Sequence, residues 1–138
     1  MIIITGASRG IGKKIYTSLK TKGNEVCGIA RNFSKVGTGG YDCDVGSYDE
    51  LKLVALDLKK KGFKVKAIVN AAGIASMNLA LTTPPQLTEK IIKTNLLGTI
   101  FSCQVFAPLI IRNKGGSIIN FSTVAVEIGL EGESVYVA

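Results

Sequence analysis

Thr5-Gly6-Ala7-Ser8-Arg9-Gly10-Ile11-Gly12 follows the apolar run Met1–Ile4 directly and opens a stretch in which Ile11, Ile15 and Leu19 recur at helical spacing. A strand that runs into a glycine-rich turn and then a helix implies a close approach to the backbone. Gly6 permits the sharp turn out of the strand, Gly10 lets a pyrophosphate reach the main chain with no Cβ in the way, and Gly12 lets helix and strand pack tightly. The first free N–H groups of the helix and the positive end of its dipole then face the phosphates. The spacing, Gly6-x3-Gly10-x-Gly12, is neither the P-loop pattern nor G-x-G-x-x-G. A bare tight turn is the plainer reading; the position between strand and helix favours a nucleotide.

Outward from this turn the chain alternates β-rich runs with amphipathic stretches, the pattern of βαβ units around a parallel sheet. Ile2–Thr5 is expected as the first strand, apolar throughout because both faces are covered. Further strands are expected at Glu25–Ala30, Tyr41–Val45, Val65–Asn70 and Ser117–Ser122. Gly23 ends the first helix, and Ser47-Tyr48-Asp49-Glu50 reads as a capping box for a second. Leu51, Val54, Ala55 and Leu58 form that helix's buried stripe, and Gly62 stops it. A long helix follows Pro84-Pro85 to about Asn113, with a bend expected from Gly98 and Pro108. Asn32–Gly40 reads as a loop. Right-handed crossovers then give an α/β fold: a Rossmann-like doubly wound sheet of order 3-2-1-4-5, one domain over residues 1–138.

Composition narrows the class. The chain has 46% hydrophobic and 20% charged residues, which suits a packed globule, and no apolar run approaches a membrane span. Nothing at the N-terminus resembles a secretion signal. Cys27, Cys43 and Cys103 lie far apart and there is no histidine, so neither a zinc site nor a disulfide scaffold is expected, and a reducing cytoplasm is. The net charge of +7 is spread out, as in Lys13, Lys14, Lys20 and Lys22 along one helix and Lys59, Lys60 and Lys61 at the end of another. That pattern points to a solvated basic surface near a small anionic ligand rather than to nucleic acid or membrane.

TGASRGIG with its spacing resembles the fingerprint of the short-chain dehydrogenase/reductase family, whose similar members include 3-oxoacyl-(acyl carrier protein) reductases. Four further stretches agree in order. Asp44-Val45 looks like the family's adenine-contacting aspartate and its neighbour. Asn70-Ala71-Ala72-Gly73 looks like its NNAG motif with Ala for the second Asn. Asn95 in KTNLLGT matches the helix asparagine, and Ser117–Val126 the strand carrying the catalytic hydroxyl. The resemblance covers nearly the whole chain. It implies a nicotinamide cofactor held by Gly6, Ser8, Arg9, Gly10, Ile11, Gly12, Arg31, Asp44, Val45, Asn70, Ala71, Ala72 and Gly73, a carbonyl or alcohol substrate, and a dimer or tetramer.

An acid at the end of the second strand would bind a ribose 2′-hydroxyl and repel a 2′-phosphate. This chain has Ala30 there, then Arg31, with Arg9 in the glycine turn, so NADP(H) is expected over NAD(H). The resemblance makes Tyr136 the proton-exchanging tyrosine, Thr123 (with Ser122 as substitute) the substrate-orienting hydroxyl, and Asn95 the support of a proton relay. In the family a lysine four residues after the tyrosine lowers its pKa, and position 140 lies past Ala138. The resemblance likewise places the family's C-terminal strands past Ala138. Residues 1–138 are therefore expected to be a truncated, inactive cofactor half, with a non-catalytic NADP(H)-binding module or a partner-binding truncated paralogue as the alternative. The last strand is expected to form an exposed apolar edge. Only 13 residues separate Ala30 from Asp44, so the helix usual there is expected to be shrunken or lost.

Overall fold

A computed structural model describes all residues 1–138, which build a five-stranded parallel sheet of order β3-β2-β1-β4-β5. The strands are β1 (Ile2–Thr5), β2 (Val26–Ala30), β3 (Gly40–Asp42), β4 (Ala67–Asn70) and β5 (Ser117–Asn120). Four of the five are shorter than their sequence runs: β2 and β4 begin later, at Val26 and Ala67, and β3 and β5 end earlier, at Asp42 and Asn120. β1 is central, with Ile3 paired to Cys27 on one side and to Ile68 on the other. Its alternate residues feed two cores. Ile3 packs with Ile29, Leu51, Leu58, Ile68, Phe106 and Ile110 beneath α2 (Tyr48–Lys60) and the long helix. Ile4 packs with Ala7, Tyr16, Ala30, Phe33 and Val69 beneath α1 (Gly10–Thr21). Two covered faces are the reason this strand is apolar from Ile2 to Ile4.

The expected stripe on α2 is the buried one: Leu51, Val54, Ala55 and Leu58 all face the core. Its capping box is half formed. Ser47 Oγ accepts from the Glu50 amide at 3.4 Å, but the Glu50 carboxylate accepts from the Asp44 amide at 2.8 Å instead of returning to Ser47. On α1 the inward face is Gly12, Ile15, Tyr16 and Leu19. Ile11 does not belong to it and is 63% exposed.

The long helix runs as α3 (Pro85–Ile91), a π-helical segment at Ile92–Leu97, and α4 (Gly98–Arg112). The irregularity thus falls before Gly98, and the helix continues through Pro108. By length and composition Pro85–Arg112 could cross a membrane, which corrects the expectation that nothing approached a span. Here Ile91, Gly98, Ser102, Phe106 and Ile110 face inward, as in the core helix of a globular fold. Two short turns, α5 (Ala125–Ile128) and α6 (Ser134–Val137), follow β5. All four β5 residues are exposed, and Ile118 and Ile119 with Phe121, Val124 and Val126 leave apolar surface at this edge of the sheet.

Between β2 and β3 no α-helix forms. A single 3-10 turn, Phe33–Lys35, takes its place, and Phe33 is 1% exposed. Its ring fills the space above Gly28 and Gly40, where a Cβ on either glycine would strike it, and meets Tyr16 edge-on at 5.2 Å. The Tyr16 hydroxyl donates to the Thr38 carbonyl at 2.6 Å and closes the loop. On the other face Tyr41 donates to Asp57 Oδ2 at 2.6 Å, and Lys61 pairs with the same oxygen at 2.6 Å, clasping β3 to α2. Burial first, then the bond to Asp57, pushes the Tyr41 phenol up to about 12, so it stays a donor through the neutral range. Tyr41→Phe is expected to cost about 0.5–1 kcal/mol, read as a lower urea midpoint at unchanged m.

Candidate functional site

In a parallel sheet all C-terminal strand ends lie on one side, and the strand order of this sheet reverses at β1 and β4. The Thr5–Gly12 turn sits at that place. Gly6 has φ +67°, and a Cβ on it would lie 2.6 Å from the Ala71 carbonyl oxygen. Gly12 has no room either, since a Cβ there would strike the Gly6 carbonyl. Gly10 differs. Its φ is +56°, and a Cβ would meet nothing within 4 Å. Two glycines are thus fixed by packing, and the third borders open space.

The start of α1 is left unsatisfied. Its N-cap, Arg9, is extended and makes no side-chain cap bond, and no acid lies in the first turn. α2, by contrast, carries the Ser47 cap with Asp49 and Glu50 behind it. Free amides and an uncompensated positive dipole end at α1 suit an anion. Arg9 and Arg31 are both exposed on this side.

Thr5, which the sequence did not mark, holds the turn against β4. Its buried Oγ1 accepts from the Ala71 and Ala72 amides, both at 3.1 Å. Ala71, Ala72 and Gly73 therefore run beside Gly6 on the sheet's C-terminal side. Asn70 turns inward. Its Nδ2 donates to Asn120 Oδ1 at 2.8 Å and to Cys103 Sγ at 3.5 Å, while its Oδ1 and Ser102 Oγ are buried without protein partners. Asp44 Oδ1 accepts from the Gly46 amide at 2.9 Å, which fixes the turn after β3, and Val45 is buried against Gly98. Ser8 is half-buried and Ile11 exposed in the turn.

Asn95 lies in the π-helical segment. Its Oδ1 accepts from the Ile74 amide and its Nδ2 donates to the Ile74 carbonyl, each at 2.9 Å, so the side chain pins the loop that follows Gly73. Its own carbonyl accepts from the Thr99 hydroxyl at 2.8 Å. A π-turn at a functional position is a recurrent association that the sequence pattern alone did not disclose. Beyond β5, Ser122 is exposed and Thr123 Oγ1 accepts from the Ala125 amide at 3.2 Å. Tyr136 is half-buried in α6 beside α3, and the Asn78 amide donates to the Gly132 carbonyl at 2.7 Å, tying this segment to the loop after β4. No hydrogen bond joins Tyr136 to Asn95, Ser122 or Thr123. Burial above all pushes the Cys27 and Cys43 thiols up to about 12, which leaves them protonated and inert.

Sheet order and the glycine turn at the switch point define a Rossmann-like α/β fold. The family model for short chain dehydrogenases matches residues 1–138, and the chain belongs to that family of oxidoreductases. It is 32% identical over 144 residues to the human 3-oxoacyl-[acyl-carrier-protein] reductase, covering 98% of this chain and 61% of that protein. The corresponding reductase of Staphylococcus aureus (strain Mu50) is 31% identical over 150 residues, covering 99% of this chain and 61% of that one. Among solved structures, the ligand-free aldohexose dehydrogenase of Thermoplasma acidophilum superimposes with a TM-score of 0.91 at 29% identity, covering 99% of this chain and 54% of the other. The chain spans about three-fifths of the length of the curated relatives it matches.

Proposed function

We propose that this chain is the cofactor-binding part of a cytoplasmic NADP(H)-dependent oxidoreductase acting on a carbonyl or alcohol. The observation that carries the reading is the uncapped, acid-free N-terminus of α1 behind a glycine turn with open space at Gly10. The α1 amides and Gly10 would hold the pyrophosphate, Ala71–Gly73 would flank the nucleotide, and Asp44 and Val45 would border the adenine. Bound there, a nicotinamide supplies a hydride donor or acceptor. Tyr136 would exchange the proton on the substrate oxygen, Thr123 or Ser122 would orient that oxygen, and Asn95 would keep the loop after Gly73 in place. For residues 1–138 taken alone we expect cofactor binding without turnover, since the family's lysine has no counterpart among them. A non-catalytic NADP(H)-binding module is the second reading, favoured by Tyr136 standing without a bond to the other hydroxyls.

Preference for NADPH rests on Arg31 and Arg9, with Ala30 where an acid would repel a 2′-phosphate. Arg31 is exposed, so removing it leaves the fold intact. Arg31→Ala is expected to weaken NADPH binding by about tenfold and NADH by less than about twofold, measured by fluorescence titration. Equal changes for both cofactors would contradict the assignment.

A further inference from the structure

β2 lacks a carboxylate at Ala30, but the neighbouring strand has one. Ala30 and Asp42 are register partners in the parallel β2–β3 pair, so their side chains leave the sheet on the same face, one strand spacing apart. Asp42 is exposed, and its carboxylate is committed: Oδ1 accepts from the Ser34 amide at 2.7 Å and Oδ2 from the Ser34 hydroxyl at 2.5 Å. These bonds, with Lys35 nearby as a smaller contribution, lower its pKa and keep it ionised at neutral pH. Ser34 stands three residues after Arg31, in the short turn that replaces a helix. A fixed negative charge therefore sits on β3 opposite Ala30, the residue that precedes Arg31, and it occupies two donors of Ser34 that an incoming phosphate could otherwise use.

We propose that Asp42 is a specificity-determining residue, which through its bidentate hold on Ser34 keeps the chain's NADPH preference below what Arg31 and Arg9 would give alone. The inference rests on the NADP(H) reading above. A carboxylate beside a phosphate of about two charges repels it weakly through water, and Ser34 contributes nothing to the phosphate while it is bound to Asp42. NADH has no 2′-phosphate and is insensitive to both effects. Asp42 thus sets the ratio between the two cofactors while leaving the shared pyrophosphate contacts untouched.

The test compares Asp42→Asn, which keeps the shape and removes the charge, with Ser34→Ala, which keeps the charge and removes one donor. Binding of NADPH and NADH to the full 138-residue chain is measured for each, with thermal midpoints as a control. Asp42→Asn is expected to tighten NADPH by roughly fivefold at low salt, fading as salt rises, with NADH changed by less than about twofold. Ser34→Ala is expected to produce no such gain. An unchanged NADPH-to-NADH ratio in Asp42→Asn, or equal weakening of both cofactors by both variants, overturns the proposal and makes the pair a loop clasp only. Arg31→Ala separates the two readings. If it still lowers the ratio while Asp42→Asn does nothing, the Asp42 proposal alone fails; a chain that binds neither cofactor overturns both.

Discussion

Phe33→Ala should destabilise the chain by about 4 kcal/mol and lower its thermal midpoint by more than about 10 °C. The ring is almost fully buried, it covers two glycines on adjacent strands, and it stacks edge-on with Tyr16. Between β2 and β3 a single 3-10 turn stands in place of a helix, so truncation opens a cavity that this turn cannot close. The same turn carries Ser34 and follows Arg31, so loss of the ring also loosens the segment proposed to read the 2′-phosphate. NADPH binding should therefore suffer more than NADH binding in this variant. A loss under about 1 kcal/mol would show that the loop is a dispensable cover and that β3 is held from the other face alone.

Gly10→Ala should weaken NADPH binding by about 100-fold while costing the fold only about 1 kcal/mol. The stability cost comes from the left-handed φ of +56°, because the new Cβ touches nothing in the protein. The binding cost is larger because that Cβ points into the space assigned to the pyrophosphate. Gly12→Ala provides the contrast: its Cβ collides with the Gly6 carbonyl, so it should lower stability by about 2–3 kcal/mol, with binding lost as a consequence of misfolding. Calorimetry beside cofactor titration separates the two. If Gly10→Ala binds NADPH like the parent chain, the turn is merely a turn.

Sheet order, the α2 stripe and the glycine turn were legible because each follows from a local rule. Continuous apolarity marks a doubly covered strand, Leu51, Val54, Ala55 and Leu58 keep a 3.6-residue period, and Gly6 and Gly12 stand where a Cβ has no room. What escaped depends on tertiary partners. Phe33 lies in a stretch rich in Gly and Ser/Thr, and its burial follows from Gly28 and Gly40 standing on two neighbouring strands. The π-segment has no composition of its own; Ile92–Leu97 reads as ordinary helix, and only the structure shows Asn95 bonded to the Ile74 backbone. Ile11 kept the helical period yet stays exposed, since in the first turn of α1 it is Gly12 that packs on the end of β1. Asp42 carries no signal in the sequence, because its register with Ala30 and its bonds to Ser34 are tertiary.

The central claim, that Thr5–Gly12 holds a phosphate-bearing dinucleotide, is tested most directly by titrating the 138-residue chain with NADPH and NADH and following cofactor fluorescence. Saturable binding of both, with NADPH tighter, is the predicted result. A folded chain that leaves NADPH fluorescence unchanged at millimolar cofactor would contradict it.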